Sequence, residues 1–276
     1  MARLDPRNVA EYWWDRRTTG LSLLRADFTT HDYPPHSHDA FVVAVTEDGG
    51  SVIKSRGAIE EAHPSTLFVF NPAEPHAGWM GRSRRWRYRS MYLTRQAIEA
   101  VAQGLGIERV PYFIRNLFTD PDLIDGFLRL HRALEQRGEE LRERELLIGS
   151  FGRLFARHGS GGDTIAQAPR DNSRLRRAIE LMRARHADSL KLDDIAEAVG
   201  LTPFQLIGLF RGGTGLTPHS YLTQVRLAAA CRELRHGAPL AEAATTVGFY
   251  DQSALTKHFK RCYGITPLQF QRAALH

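Results

Sequence analysis

His36 and His38 stand two residues apart, and His76 follows a turn at Pro72–Pro75. Residues two apart on a strand face the same way, so the pair would present two imidazoles together. Two such rings and a third make a nitrogen set for a first-row transition metal, usually completed by a carboxylate. The sequence is read without a resident metal or other cofactor, and His36, His38 and His76 are expected to line or buttress a cavity. Trp79, Trp86, Tyr88 and Tyr92, with Tyr33, could wall that cavity for a small molecule, and each also suits a plain core. No nucleophile elbow, phosphate-cradling glycine loop or paired-carboxylate signature accompanies them, so no catalysis is expected.

A second set of chemical residues lies in a unit that occurs twice. "GLTPFQLIGLFRGGTGLTP" begins at Gly200 and "GFYDQSALTKHFKRCYGITP" at Gly248. Each runs from a glycine through a short turn into an apolar-spaced helix ending in Phe, then Gly-Leu/Ile-Thr-Pro. Gly215-Leu216-Thr217-Pro218 thus matches Gly264-Ile265-Thr266-Pro267. Gly200 to Phe210 is ten steps and Gly248 to Phe259 eleven, so the second turn holds one extra residue. In the second copy Leu255 and Phe259 share a core face. Gln252, Ser253, Thr256, Lys257 and Lys260 are left outside. Gln252 suits a bidentate contact to adenine and Lys257 a contact to guanine, while Lys260 and Arg261 suit phosphate. In the first copy the matching candidates are Phe204, Gln205, Gly208 and Arg211, with Gln205 as the base contact and Arg211 on phosphate. Gly208 brings no donor and costs about 1 kcal/mol of helix propensity relative to alanine. Gly208→Arg is therefore expected to tighten DNA binding, and the second copy is expected to be the stronger reader.

The elements that must position these residues follow from periodicity. The segments 20–28, 40–46, 51–55, 66–70 and 85–93 read as short strands bounded by turns at Pro34-Pro35, Gly49-Gly50, Asn71-Pro72 and Gly81. In the last, Trp86, Tyr88, Ser90 and Tyr92 point one way and Arg85, Arg87 and Arg89 the other. Such a set argues a barrel or sandwich. Residues 94–158 switch to helical spacing, with stripes at Leu123, Phe127, Leu130, Leu134 and at Leu141, Ile148, Phe151, Phe155. Those stripes must pack on the barrel, on a second copy of the chain, or on both. Residues 158–172, rich in Gly, Ala and Pro, read as a linker. Beyond it everything reads as helix, and helix, tight turn, helix occurs twice, with Thr202 and Asp251 as N-caps. Between the copies, Thr217 to His236 makes a helix of about 30 Å. Successive major grooves on one face of DNA lie about 34 Å apart, so two recognition helices could enter adjacent grooves from one chain.

Charge separates the same two parts. From Arg170 onward there are 15 Lys and Arg against 9 Asp and Glu, an excess of six. The residues before it carry 22 of each. Only the C-terminal part is built to meet a polyanion. No apolar run approaches a membrane span, and the opening "MARLDPRNVAEYWWDRR" lacks the apolar stretch of a signal peptide, so a cytoplasmic protein is expected. Cys231 and Cys262 are read as reduced thiols.

Residues ~172–274 resemble the DNA-binding domain of AraC/XylS-type transcription regulators, on "DDIAEAVGLTPFQLIGLF", "TGLTPHSYLTQVRLAAA" and "VGFYDQSALTKHFKRCYGITPLQF". The N-terminal half resembles that family's cupin-like effector-binding domain, on "PPHSHDAFVVAVTEDGG" and "LFVFNPAEPHAG". The resemblance implies a multidomain chain. A cupin-like β-barrel with accessory helices would span 1–158, a linker 159–172, and an all-α domain with two helix-turn-helix units 173–276. It implies a regulator controlled by a small-molecule effector. Double-stranded DNA and a second copy of the chain, through 121–158, are its expected partners, with RNA polymerase a further candidate. Family members carry a polar residue at 207 and arginine at 208, where this chain has Ile207 and Gly208. Cupin metal sites take a carboxylate four or five residues after the second histidine, where Val42 and Val43 stand; Glu47 and Glu74 are off that pattern, so the resemblance gives no complete metal set. Arg226 matches an arginine that tends to be structural in the family, and it also suits a phosphate contact. Two rivals remain: a regulator controlled by a protein partner, and a cupin dioxygenase fused to DNA-binding helices.

Overall fold

The computed structural model describes residues 7–136, 138–263 and 265–275. Residues 1–6 of the opening stretch and Gly264, the counterpart of Gly215, lie outside them. The chain divides into two compact units, one running to Ala166 and the other from Gln167.

In the first unit β1 (Val9–Trp14), β2 (Leu21–Phe28), β9 (Trp86–Leu93), β4 (Phe41–Gly49), β7 (Thr66–Phe70) and β10 (Leu117–Phe118) form an antiparallel sheet in that order. β3 (Asp32–His36), β8 (His76–Trp79), β5 (Ser51–Ser55) and β6 (Ala58–Ala62) form a second. Inner-face residues of both sheets, among them Val42, Ala44, Phe68, Phe70 and Ile53, share one core. The other face of the large sheet meets α1 (Arg95–Leu105), α2 (Pro121–Glu135) and α3 (Glu140–His158). This double coverage explains why Phe41 through Val45 are apolar and buried without alternation. The architecture is the cupin-like barrel with accessory helices that the family resemblance implied, and one of the two forms, barrel or sandwich, that the strand pattern allowed.

Two expectations change. Pro34-Pro35 is not a turn between strands but lies inside β3. β3 is an edge strand whose register with β8 slips between Tyr33 and His36, a setting where proline costs no ladder bond. The helical stripes on α2 and α3 are fully used within this unit. Leu123, Phe127, Leu130, Leu134, Leu141, Ile148, Phe151 and Phe155 are all buried, and the Phe41 ring packs on Phe151 and Phe155. Those stripes therefore give no argument for a second copy at 121–158.

The second unit contains α4 (Asn172–Ala184), α5 (Leu192–Ala198), α6 (Pro203–Thr214), α7 (Pro218–Arg235), α8 (Leu240–Thr246), α9 (Gln252–Tyr263) and α10 (Pro267–Leu275). α5–α6 and α8–α9 are the two helix-turn-helix pairs, and α7 packs against members of both. Its 18 residues span about 27 Å. Thr202 and Asp251 cap their helices as expected, accepting from Gln205 N and Ala254 N. Gly248 has φ +92°, and a Cβ there would lie 2.7 Å from the His186 carbonyl oxygen. Only glycine serves at that turn. Among the described residues no helix is long and apolar enough to cross a membrane, and Cys231 and Cys262 are free thiols.

Candidate ligand cavity and nucleic-acid interface

Between the two sheets lies a cavity of about 520 Å³ counted to its mouth, of which about 80 Å³ admits the centre of a water-sized molecule. A compact ligand would fit. His36, His38, His76, Trp86, Tyr88 and Tyr92 line it, together with Tyr33, whose hydroxyl bonds that of Tyr88 at 2.6 Å. Trp79 is not in the wall. Gly78 takes the inward position on β8, where a Cβ would meet Ile53 and Trp86, and its neighbour faces the other side. The reading by residue type also passed over Val42, Ala44, Phe68, Phe70 and Ser90, which line the cavity too. Alternation on β4 and β7 was the available signal, masked because both faces of those strands are apolar.

The three histidines converge. One coordinating nitrogen from each lies within 4.8 Å of the others. β3 and β8 hold His36 directly opposite His76. His76 stacks on Phe70 with ring centroids 3.9 Å apart. His36 Nδ1 lies 2.7 Å from the Pro34 carbonyl oxygen, and His76 Nδ1 2.9 Å from that of Glu74. A carbonyl only accepts, so in each ring Nδ1 carries a proton and donates it. Burial first, then the neighbouring rings of His76 and His36, pushes His38 down to about 4. Burial also lowers His76. Val42 lines the cavity where a cupin carboxylate would stand. Glu74 is held elsewhere. Ser55, Asn71, Asn116 and Arg56 all donate to it and, against the opposing effect of burial, keep its carboxyl below the ordinary value. Glu47 pairs with Arg89 and Arg132.

In the second unit α9 presents two adjacent rows at four-residue steps, Gln252–Thr256–Lys260 and Ser253–Lys257–Arg261. All are exposed except half-buried Thr256, while Leu255 and Phe259 are buried on the opposite side. Aligning Phe210 with Phe259 places Phe204, Ile207, Gly208 and Arg211 where α9 has Ser253, Thr256, Lys257 and Lys260. Gln205 then matches half-buried Ala254, and its side chain does not project as a reader. Its Oε1 accepts from Thr202 N at 3.1 Å in a capping box, and its Nε2 lies 3.4 Å from the Gln167 carbonyl oxygen. Ile207 is only 2% exposed, and a Cβ at Gly208 would lie 2.7 Å from the Ala168 Cβ. Any side chain at 208 thus requires the chain at Ala168 to shift. Phe204 is half-buried and Arg211 exposed. Arg226 is buried and donates to the carbonyls of His186 and Asp188, so it is a structural residue and not a phosphate contact.

A family profile described as an AraC-like ligand binding domain matches residues 18–151, and one described as a helix-turn-helix domain matches 195–273. The chain is 28% identical over 222 residues to the uncharacterized HTH-type transcriptional regulator YbfI of Bacillus subtilis, covering 80% of each. It is 27% identical over 243 residues to the arabinose operon regulatory protein of Escherichia coli, covering 86% of this chain and 82% of that one. Among solved structures it is similar to ToxT from Vibrio cholerae, over 92% of this chain and 98% of that one, with 9% identity and a TM-score of 0.37.

Proposed function

This chain belongs to the AraC family of DNA-binding transcription regulators, and we propose that a compact small molecule in the cavity of its N-terminal barrel controls it. The observation that carries the DNA side of this reading is the face of α9. Six polar or basic side chains stand there in two rows, opposite a buried apolar face. Gln252 and Lys257 read base edges in a major groove, and Lys260 and Arg261 hold phosphate. α6 enters the neighbouring groove, contributing Arg211 to phosphate and little base reading. The cavity supports ligand control, having apolar walls with a few converging polar groups. The chain acts in the cytoplasm as a regulator and not as an enzyme.

The test pairs a thermal-shift screen of sugars, aromatics and amino acids with footprinting on operator DNA. A ligand that raises the melting temperature and alters the footprint supports the reading. DNA binding that no ligand alters favours a regulator controlled by a protein partner.

A further inference from the structure

We propose that the chain at Gln167 and Ala168 is a movable cover over the DNA-facing side of α6, and that it must lift before this helix enters a groove. The two helix-turn-helix pairs supply the comparison. With Phe210 aligned on Phe259, positions 204, 207, 208 and 211 of α6 correspond to 253, 256, 257 and 260 of α9. Ser253, Lys257 and Lys260 are exposed and Thr256 is half-buried. Phe204 and Gly208 are half-buried, Ile207 is 2% exposed, and of these four only Arg211 is open to solvent. One face is thus free in the second copy and occupied over its first two turns in the first. Those N-terminal turns are the part of a recognition helix that reaches base edges.

The contacts name the occupant. A Cβ at Gly208 would lie 2.7 Å from the Ala168 Cβ. About one turn earlier, Gln205 points its Nε2 at the Gln167 carbonyl oxygen, 3.4 Å away. Ala168 and Pro169 are half-buried, whereas Ala166 and Gln167 leading to them are exposed. Gln167 and Ala168 belong to the same compact unit as α6, so the contact is internal to that unit. Glycine at 208 therefore does more than lack a DNA donor: with no Cβ, it lets the segment seat. The hold is slight, one long hydrogen bond and a contact between two small residues, so DNA can displace it. Ala166 is the last residue of the first unit, and the cover follows it directly along the chain. A change that shifts that chain end moves the cover first. The inference rests on the reading of α6 and α9 as DNA-binding helices and needs no ligand in the cavity.

The test uses the full chain with Cys262→Ser, Ala168→Cys and Gly208→Cys. A shift of about 1 Å brings the two Cβ atoms to the separation a disulfide takes. Oxidation without DNA should close the bond and confine the later footprint to one major groove, and reduction should restore protection of two. A second pair of variants needs no crosslink. Gly208→Ala adds no donor, yet its methyl group unseats the cover and should tighten DNA binding several-fold by emptying the covered state. Adding Ala168→Gly leaves the Cα of residue 168 as the nearest atom, at 3.9 Å, and should return affinity to the wild-type value. No disulfide, two protected grooves in the oxidised protein, or equal affinity of Gly208→Ala with and without Ala168→Gly overturns the cover. A reduced protein that protects no DNA overturns the DNA reading itself, and the cover with it.

Discussion

His131 shows how much a single buried ring can carry. Its Nε2 donates to the Leu24 carbonyl at 3.2 Å and its Nδ1 accepts from Arg89 at 3.0 Å. The ring is therefore the neutral Nε2–H tautomer, with Trp13 edge-on at 5.5 Å. Burial, then the Arg89 charge, lowers it to about 4, against weaker opposing pulls from Glu135 and Glu47. A histidine depressed in the fold binds a proton more readily when unfolded. Its stabilisation is complete above about 6.5 and is lost as pH falls towards 4. Melting temperature should therefore drop on acidification from pH 7 to 5, by up to about 1.4 kcal/mol of stability per pH unit from this ring. His131→Gln should flatten that drop. Nothing in the sequence marked His131 out, because its partners come from β2 and β9, over forty positions away.

The doubled unit is where elements were most legible. Caps, turn glycines and apolar spacing located both helix-turn-helix pairs, and the one-residue difference in turn length reappears as N-caps at 202 and 251. What the sequence hid was rotation. Gln205 has the chemistry of a base reader, but it sits one position off the reading face and closes a capping box instead. Trp79 failed in the same way, by one step of strand alternation. The stripes on α2 and α3 were visible as stripes, but not what they covered. The structure puts Phe151 at the centre, fully buried among Phe41, Phe127 and Phe155. Phe151→Ala should destabilise the first unit by about 3–5 kcal/mol, read by chemical denaturation, while leaving the melting of the DNA-binding unit in place.

Across the whole molecule the two units differ in how charge is used. Several arginines of the first are taken up in ion pairs, such as Arg25–Glu135, Arg85–Asp27, Arg89–Glu47 and Arg157–Asp120. In the second, the described pairs Arg174–Asp171 and Arg185–Asp188 lie away from α9, whose basic residues face solvent. A neutral first unit joined to a basic second unit was legible from composition. The proposed lead of α9 over α6 rests at the sequence level on the missing charge at Gly208. The most direct measurement compares Lys257→Ala with Gln205→Ala in the full chain, on one operator at one salt concentration, with melting followed alongside. Lys257→Ala should weaken DNA binding by about 1–3 kcal/mol and leave the melting temperature unchanged. Gln205→Ala should lower the melting temperature through its lost cap and change affinity far less. Equal losses of affinity from the two substitutions would contradict the account.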